Sequence, residues 1–170
     1  MIQNTQKEKL YSEISKFVFQ AGIVGIITLL LINFIFITGK VPSTSMENSL
    51  QKGDTVIGNR VIYKVSSPKR GDIVIFENPD NPSQLLIKRV IGIPGDIVNC
   101  INGRLFINGN SFEETYIKEE MTVRNNFYYD IPENSYFLLG DNRNNSVDSR
   151  FWDNHFVDKK NIIARADWYF

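Results

Sequence analysis

The longest apolar stretch of the chain lies near its start. Residues 17–39 contain no formally charged side chain and are mostly hydrophobic, and Lys16 and Lys40 flank them. A helix of this length spans roughly 34 Å at 1.5 Å per residue, slightly more than the ~30 Å hydrocarbon core of a bilayer. The pattern therefore predicts a transmembrane helix over 17–39, preceded by a short N-terminal segment, 1–16.

Two other interpretations of this stretch are a buried core helix and a cleavable secretory signal. A chain this short has little else with which to cover a helix that is apolar on all sides. A secretory signal has an apolar core of only ~7–15 residues, followed by a small-x-small cleavage site, whereas Thr38-Gly39-Lys40-Val41-Pro42 follows here. We therefore predict an uncleaved anchor in the cell membrane. The lysines around it favour a cytoplasmic N-terminus only by a small margin: Lys7, Lys9 and Lys16 before it, Lys40 and Lys52 after it.

The remaining segment, residues 40–170, has the pattern of a mainly β domain. Short runs rich in Val, Ile, Phe and Tyr alternate with clusters of Gly, Pro, Asn and Asp, which is typical of a sandwich or barrel-like fold. Asn102-Gly103 and Asn108-Gly109 bracket Arg104 to Ile107 and predict a tight hairpin. The more polar stretch 111–132 is predicted to be a peripheral insertion. The predicted strands are Thr55 to Tyr63, Asp72 to Phe76, Leu85 to Ile93, Asp96 to Ile101 and Tyr136 to Leu139.

Composition excludes several classes of function. The chain has 19 basic and 19 acidic side chains, so it lacks the surplus of positive charge that binds nucleic acid. Its single cysteine, Cys100, cannot form an internal disulfide, and with one histidine the chain has too few ligands for a structural zinc site. No glycine-rich phosphate loop is present. We therefore expect no metal, no nucleotide cofactor and no nucleic-acid partner.

Serine and lysine are the candidate catalytic residues, because the one histidine, His155, lies in a polar tail. In an extended segment, Ser43 and Ser45 present two hydroxyls to the same side, although a polar linker would have the same composition. A lysine base must be desolvated, since its ordinary pKa near 10.4 leaves it protonated at neutral pH. Strand alternation places Lys88 with Leu86 and Val90, and Arg89 on the opposite face. The pattern does not tell which of the two cations is buried.

Four segments together resemble the type I signal peptidases, membrane-bound serine proteases, of the short Gram-positive kind. The first is Val41-Pro-Ser-Thr-Ser-Met46 with Leu50-Gln-Lys-Gly-Asp54, which resembles the nucleophile box. The others are Gly71 to Phe76, Lys88 to Asp96 and Gly140 to Arg150, in the family's order and behind an N-terminal anchor. The resemblance implies a signal-peptidase-like β domain behind one transmembrane helix.

The same resemblance implies the roles of individual residues. Ser45 is expected to be the nucleophile and Lys88 its general base, with the Ser43 hydroxyl completing an oxyanion hole beside the Ser45 N–H. Ser146 is expected to orient the Lys88 amine. Asp148 and Arg150 are expected to pair and brace that turn, although a solvated surface pair is the alternative. Apolar side chains beside the nucleophile are candidates for the walls of a shallow substrate pocket: Met46, Leu50 and Leu86.

The implied function is an endopeptidase, without a cofactor, at the outer membrane face. It would remove signal peptides from exported preproteins after small residues at the first and third positions before the cleaved bond. One segment departs from the pattern: Glu47-Asn48-Ser49 stands where x-Pro-Thr is common, and it lacks the fixed φ of proline. This departure motivates two further hypotheses, a specialised role on particular surface proteins or pilins, and a noncatalytic membrane-bound assembly factor or chaperone for surface polymers.

Overall fold

The computed structural model describes residues 2–122 and 126–170, with the side chains of residues 2–10 and 12 left aside. Met1, in the predicted segment 1–16, and residues 123–125, in the predicted insertion 111–132, lie outside the described residues. The chain divides into two units, residues 1–35 and 36–170.

The first unit is a single helix, α1 (Ile2–Ile35). Its part from Glu13 to Ile35 is long and apolar enough to cross a membrane. The sequence predicted that this helix would continue to Gly39, and that boundary is wrong. Phe36 begins a β-strand, because residues 36–40 form a regular antiparallel ladder with a neighbouring strand.

The second unit is mainly β, which confirms the predicted fold class. Its described residues form two antiparallel sheets and one short helix, α2 (Ile62–Val65). The larger sheet has the strand order β1-β2-β11-β3-β4-β9-β10, and the smaller one has the order β7-β6-β5-β8. The strands are β1 (Phe36–Lys40), β2 (Thr55–Asn59), β3 (Ile73–Asn78), β4 (Asn81–Gly92), β5 (Ile97–Ile101), β6 (Arg104–Ile107), β7 (Asn110–Ser111), β8 (Phe127–Asp130), β9 (Ser135–Leu139), β10 (Val157–Asp158) and β11 (Ile162–Tyr169).

Several strand boundaries differ from those expected. β2 ends at Asn59, whose side-chain oxygen accepts hydrogen bonds from the Val61 and Ile62 backbone amides. Tyr63 therefore lies in α2 rather than in a strand. β4 begins at Asn81, earlier than predicted. The predicted hairpin is present: Asn102 and Asn108 have φ values of 51° and 53°, the left-handed backbone that tight hairpins require. Five strands were not predicted from the sequence: β1, β7, β8, β10 and β11.

Three hydrophobic clusters hold the second unit together. One lies on the face of the larger sheet that carries Phe76 and Leu138, and a second lies between the sheets around Phe137 and Ile91. The third packs beneath the segment that follows β1 and contains Val41, Met46, Leu50, Val56, Ile73, Ile75 and Ala164. This third cluster positions the candidate nucleophile.

Candidate active site

Ser45 lies in a short turn that is held from below by apolar side chains. Met46 and Leu50, on either side of the turn, are almost completely buried in the third cluster. Backbone hydrogen bonds close the turn, because the amides of Ser49 and Leu50 both donate to the Met46 carbonyl, at 3.0 and 2.8 Å. Ser45 itself is buried, with 8% of its surface exposed.

Lys88 approaches this serine from the middle of β4. Its side chain is only 4% exposed, and its Nζ lies 2.5 Å from Ser45 Oγ as a hydrogen-bond donor. Burial lowers the pKa of Lys88 from 10.5 to about 8, against the opposing influence of the Asp148 and Asp141 carboxylates. The structure therefore brings together a hydroxyl and an amine that loses its proton close to neutral pH.

Two further hydroxyls were predicted to belong to this site. Ser43 Oγ lies 3.2 Å from Ser45 Oγ, so the structure brings the two serines together as the i, i+2 spacing suggested. Ser146 lines the same cleft as Ser45 and Lys88, and its Oγ is buried without a hydrogen-bond partner among the described residues. A buried hydroxyl normally finds a partner, so Ser146 has donor and acceptor capacity still available to the site.

The segment after β9 holds the nucleophile turn by its backbone. The Asn142 amide donates to the Ser45 carbonyl at 3.0 Å, and the Asn142 side chain donates to the Thr44 carbonyl at 3.1 Å. Asn145 adds a hydrogen bond to the Thr44 hydroxyl at 3.0 Å. The sequence analysis named neither asparagine as a site residue, although both lie within the last of its four matching segments.

Asp148 and Arg150 form an ion pair that is buried rather than solvated. The Arg150 guanidinium donates to both Asp148 oxygens, at 2.7 and 2.8 Å, and side-chain exposure is 3% and 0%. Asp148 also accepts a hydrogen bond from the Gly140 amide, and Arg150 donates to the Arg143 carbonyl. The pair thus ties both ends of the turn that contains Ser146.

Arg89, the cation next to Lys88, makes a second ion pair. It donates to both oxygens of the fully buried Asp141, at 2.8 and 2.6 Å, and to the Gly71 carbonyl at 2.8 Å. Both β4 cations are therefore largely buried, but among the described residues Arg89 forms a direct ion pair with a carboxylate and Lys88 does not.

Gly140 occupies a position with no room for a side chain. A Cβ added there would lie 2.2 Å from Ser146 Oγ and 2.5 Å from the Ser45 carbonyl oxygen. Both distances are well below van der Waals contact. Glycine at this position therefore permits the close approach of the nucleophile turn to the segment that carries Ser146.

An apolar cavity of about 160 Å³ opens beside Ser45 and Lys88. Met46 and Leu86 line it, as predicted, but Leu50 does not. Leu50 is completely buried beneath the turn, so the prediction that it forms a pocket wall is wrong. Most of the walls were not predicted from the sequence. They come from β1, the two residues after it, β2, β3 and β4: Ile37, Thr38, Gly39, Lys40, Val41, Pro42, Val56, Ile75, Leu85 and Ile87.

A wider, more polar cleft of about 610 Å³ adjoins the apolar cavity. It shares Ser43, Ser45, Leu86 and Lys88 with the apolar cavity, and its other walls include Asn144, Asn145, Ser146, Val147 and Phe151. The serine and lysine therefore lie where an enclosed apolar cavity joins an open polar cleft. Within residues 2–122 and 126–170, no group of three or more His, Cys, Asp or Glu side chains is placed to hold a metal ion.

Comparisons with known proteins agree with this geometry. The family model described as signal peptidase, peptidase S26, matches residues 14–170. The chain is 38% identical over 152 residues to signal peptidase I of Leptolyngbya laminosa, covering 85% of this chain and 73% of that protein. It is 34% identical over 179 residues to signal peptidase I S of Bacillus subtilis, covering 99% and 93%. A crystal structure of a signal peptidase I from Enterococcus faecalis aligns with a TM-score of 0.52 and 34% identity, covering 59% of this chain and 97% of that one.

The fold and the comparisons define a serine endopeptidase with a mainly β catalytic unit and an N-terminal apolar helix. The chain belongs to the signal peptidase family, whose activity is the removal of signal peptides.

Proposed function

We propose that this chain is a membrane-anchored endopeptidase that cleaves exported preproteins with Ser45 as nucleophile and Lys88 as general base. The observation that carries the proposal is the 2.5 Å contact between Lys88 Nζ and Ser45 Oγ, made by a lysine that is only 4% exposed. A neutral amine in this position accepts the hydroxyl proton through the same contact. Ser45 Oγ then attacks the scissile carbonyl.

The remaining groups would act on the charge that develops in this step. The Ser43 hydroxyl and the Ser45 backbone N–H would donate to the oxyanion. Protonated Lys88 returns its proton to the leaving amine, and the same lysine later activates the water that hydrolyses the acyl-enzyme. Ser146, whose buried hydroxyl has no hydrogen-bond partner in the described part of the chain, would hold the Lys88 amine in orientation. Asp148 with Arg150 would brace the turn that carries Ser146.

Cavity size supports cleavage after small residues. A cavity of about 150 Å³ holds one benzene molecule, so the apolar cavity here has room for only a few side-chain atoms. Two small side chains at the first and third positions before the cleaved bond match this capacity, whereas two large ones exceed it. The leaving peptide would then occupy the open polar cleft, which accepts a wider range of side chains.

The apolar helix supports attachment to the lipid bilayer as a single-pass protein. We propose that the N-terminus is cytoplasmic and that the catalytic unit lies on the outer side, where exported preproteins emerge. A shared membrane raises the effective concentration of a tethered substrate around the enzyme. Residues 1–16, 17–35 and 36–170 would then be the cytoplasmic, membrane and catalytic parts.

The full chain in detergent micelles, incubated with an exported precursor, tests the proposal. We expect wild-type protein to release the mature product and both Ser45→Ala and Lys88→Met to lose this activity while remaining folded. Ser111→Ala and Lys160→Met, at exposed positions remote in the chain from the two catalytic residues, are matched controls. Undiminished cleavage by Ser45→Ala would overturn the proposal. A wild-type chain that binds but does not cleave would favour the noncatalytic assembly factor.

The substrate range needs a separate experiment. We propose that the departure at Glu47-Asn48-Ser49 accompanies specialisation for a subset of exported proteins, such as particular surface proteins or pilins. Mass spectrometry of surface proteins from cells that lack this chain would identify which precursors stay uncleaved. Accumulation of a few precursors supports specialisation, and a general accumulation of uncleaved precursors contradicts it.

A further inference from the structure

A segment of low regularity lies against the nucleophile turn. We call residues 114–118 (Glu114-Thr-Tyr-Ile-Lys118) the strap. The backbone carbonyls of Tyr116 and Ile117 accept hydrogen bonds from the Asn48 side-chain amide, at 3.1 and 3.3 Å. The Lys118 ammonium forms an ion pair with Glu47 at 2.5 Å. Two consecutive residues of the divergent Glu47-Asn48-Ser49 sequence are therefore held by the strap.

Asn48 has a backbone conformation that explains why asparagine suits this position. Its φ is +91°, in the left-handed region that asparagine tolerates better than most residues. Proline, which is common at this place in the family pattern, cannot adopt this conformation, since its ring fixes φ near −65°. The turn in this chain is thus fixed in another way, by a left-handed residue whose side chain is tied to a neighbouring segment.

The strap is also attached to two arginines next to the site, Arg89 and Arg143. The Arg89 guanidinium stacks over the Tyr116 ring at 3.9 Å and donates to Ser49 Oγ at 2.9 Å. Arg143, which is fully buried, donates to both oxygens of Glu114. Strap and nucleophile turn therefore share one rigid support, and a movement of either would disturb both.

Of the residues in these contacts, Arg143 lines the polar cleft, whereas the strap and the turn after Met46 do not. Residues 47–49 and the strap are absent from the walls of the apolar cavity and of the polar cleft. Their influence on cleavage must pass through the backbone of the turn, in which Asn48 follows Ser45 by three residues. A misplacement of about 1 Å at a reacting group is enough to lower a rate about a hundredfold.

We propose that Asn48 and the strap form a positioning device for the nucleophile, which holds the left-handed turn after Ser45 and keeps its hydroxyl within reach of Lys88. The inference rests on the proposed roles of Ser45 and Lys88 and adds to them. It assigns Asn48 as a positioning residue, and it gives residues 114–118 a function beyond that of a surface insertion. In this chain, tertiary hydrogen bonds replace the local rigidity of a proline.

Three substitutions of Asn48 separate the two parts of the device. Asn48→Gly keeps the left-handed backbone and removes the hydrogen bonds to the strap, Asn48→Ala loses both, and Asn48→Pro also forbids the observed φ. We expect kcat for precursor cleavage to fall in the order wild type, Gly, Ala, Pro, with at least about a tenfold loss for Ala. KM should stay within about twofold, because no substrate contact is removed.

A matched control separates positioning from stability. Asn134 also has a left-handed backbone, with φ of 58°, and lies outside both the cavity and the cleft. Asn134→Ala should lower the thermal midpoint of the full chain through the loss of the left-handed preference and leave kcat unchanged. Loss of kcat in Asn48→Ala without loss in Asn134→Ala, at equal KM, is the result expected from a positioning role.

Other results would overturn the inference. The inference fails if Asn48→Ala or Asn48→Pro keeps the wild-type kcat. It also fails if Asn134→Ala loses as much kcat as Asn48→Ala does. Where the alanine or proline variant fails to fold, Asn48→Gly still tests the hydrogen bonds, and wild-type kcat there has the same meaning. Ser45→Ala, run in parallel, separates this inference from the proposed function. If Ser45→Ala is inactive while the Asn48 variants cleave normally, only the positioning role fails.

Discussion

Two adjacent cations on β4 have opposite electrostatic environments. Lys88 donates to a neutral hydroxyl, whereas Arg89 donates to both oxygens of the buried Asp141. Burial without a carboxylate partner lowers the pKa of Lys88 to about 8, while the ion pair with Asp141 stabilises the charge of Arg89. One strand thus carries a cation that must lose its proton to act as the proposed base and another that keeps its charge in an ion pair. The difference comes from the partners, since both side chains are largely removed from water.

The largest expected effect is a loss of cleavage activity when Lys88 is replaced by arginine, the residue at position 89. A guanidinium stays protonated in proteins, so Lys88→Arg keeps the positive charge and cannot accept the Ser45 proton. We expect precursor cleavage to fall by at least about a thousandfold, the scale of a lost general base. Lys52→Arg, at an exposed position, is the control and should cleave normally. Substantial activity in Lys88→Arg would show that the lysine is not the base.

Removing the partner of the second cation should destabilise the fold. Asp141→Ala leaves Arg89 buried without a compensating charge, and breaking a pair of this kind costs about 3 kcal/mol. Urea unfolding of the full chain in detergent would measure the loss. Asp158→Ala, which removes an exposed ion pair with Lys160, should cost less than about 1 kcal/mol. Equal losses in the two variants would mean that burial of the Arg89 pair has no special importance.

Replacing Lys88 by an apolar side chain should raise the stability of the fold, the opposite of the loss expected for Asp141→Ala. Because the pKa of Lys88 falls from 10.5 to about 8 on folding, the folded state bears a cost whenever the lysine is charged. This cost is fully present below about pH 8 and disappears as pH rises toward 10.5, where the unfolded chain also loses the proton. We therefore expect Lys88→Met to be inactive yet more stable than wild type at pH 7, by about 1–3 kcal/mol.

The pH dependence of this stability difference is the check. The advantage of Lys88→Met in thermal unfolding should shrink steadily between pH 8 and pH 10.5. An advantage that stays constant over this range would be due to packing rather than to the lysine charge. A variant less stable than wild type at pH 7 would contradict the electrostatic account.

The smallest expected effect concerns the wild-type enzyme and requires no substitution. The fraction of neutral Lys88 rises about tenfold per pH unit below its pKa, so kcat/KM should rise in the same proportion up to about pH 8 and then level off. Initial rates of precursor cleavage from pH 6 to pH 10 would measure this. A flat profile over that range would contradict the assigned base.

The sequence allowed prediction of the β4 pair only up to a point. Alternation placed Lys88 and Arg89 on opposite faces of the strand, and the structure agrees. Which face is covered depends on segments distant in the chain, such as the Ser45 turn and the Asp141 loop. Local pattern contains no such information, so the alternation alone left both cations as candidates. The matching segments, rather than periodicity, singled out Lys88.

Other failures have equally physical causes. The predicted helix ran past Ile35 because Phe36 and Ile37 are as apolar as the helix before them, and only pairing with β2 makes them a strand. Leu50 looked like a pocket wall because it is apolar and close to Ser45 in sequence, yet it packs underneath the turn. The strap, polar and aperiodic, gave no sign of its contacts with residues 47–49, because those hydrogen bonds join segments almost 70 residues apart.

Gly140 limits how this enzyme can change. Because Gly140 has no Cβ, the Ser45 turn and the segment that carries Ser146 can approach each other closely. A Cβ there would lie 2.2 Å from Ser146 Oγ and 2.5 Å from the Ser45 carbonyl oxygen. Selection for altered specificity can therefore explore the cavity walls, whereas any side chain at this residue must displace Ser146 or the Ser45 turn. A Gly140→Ala allele, forced to push the two segments apart, would be a rational source of a heat-sensitive strain for stopping cleavage on demand.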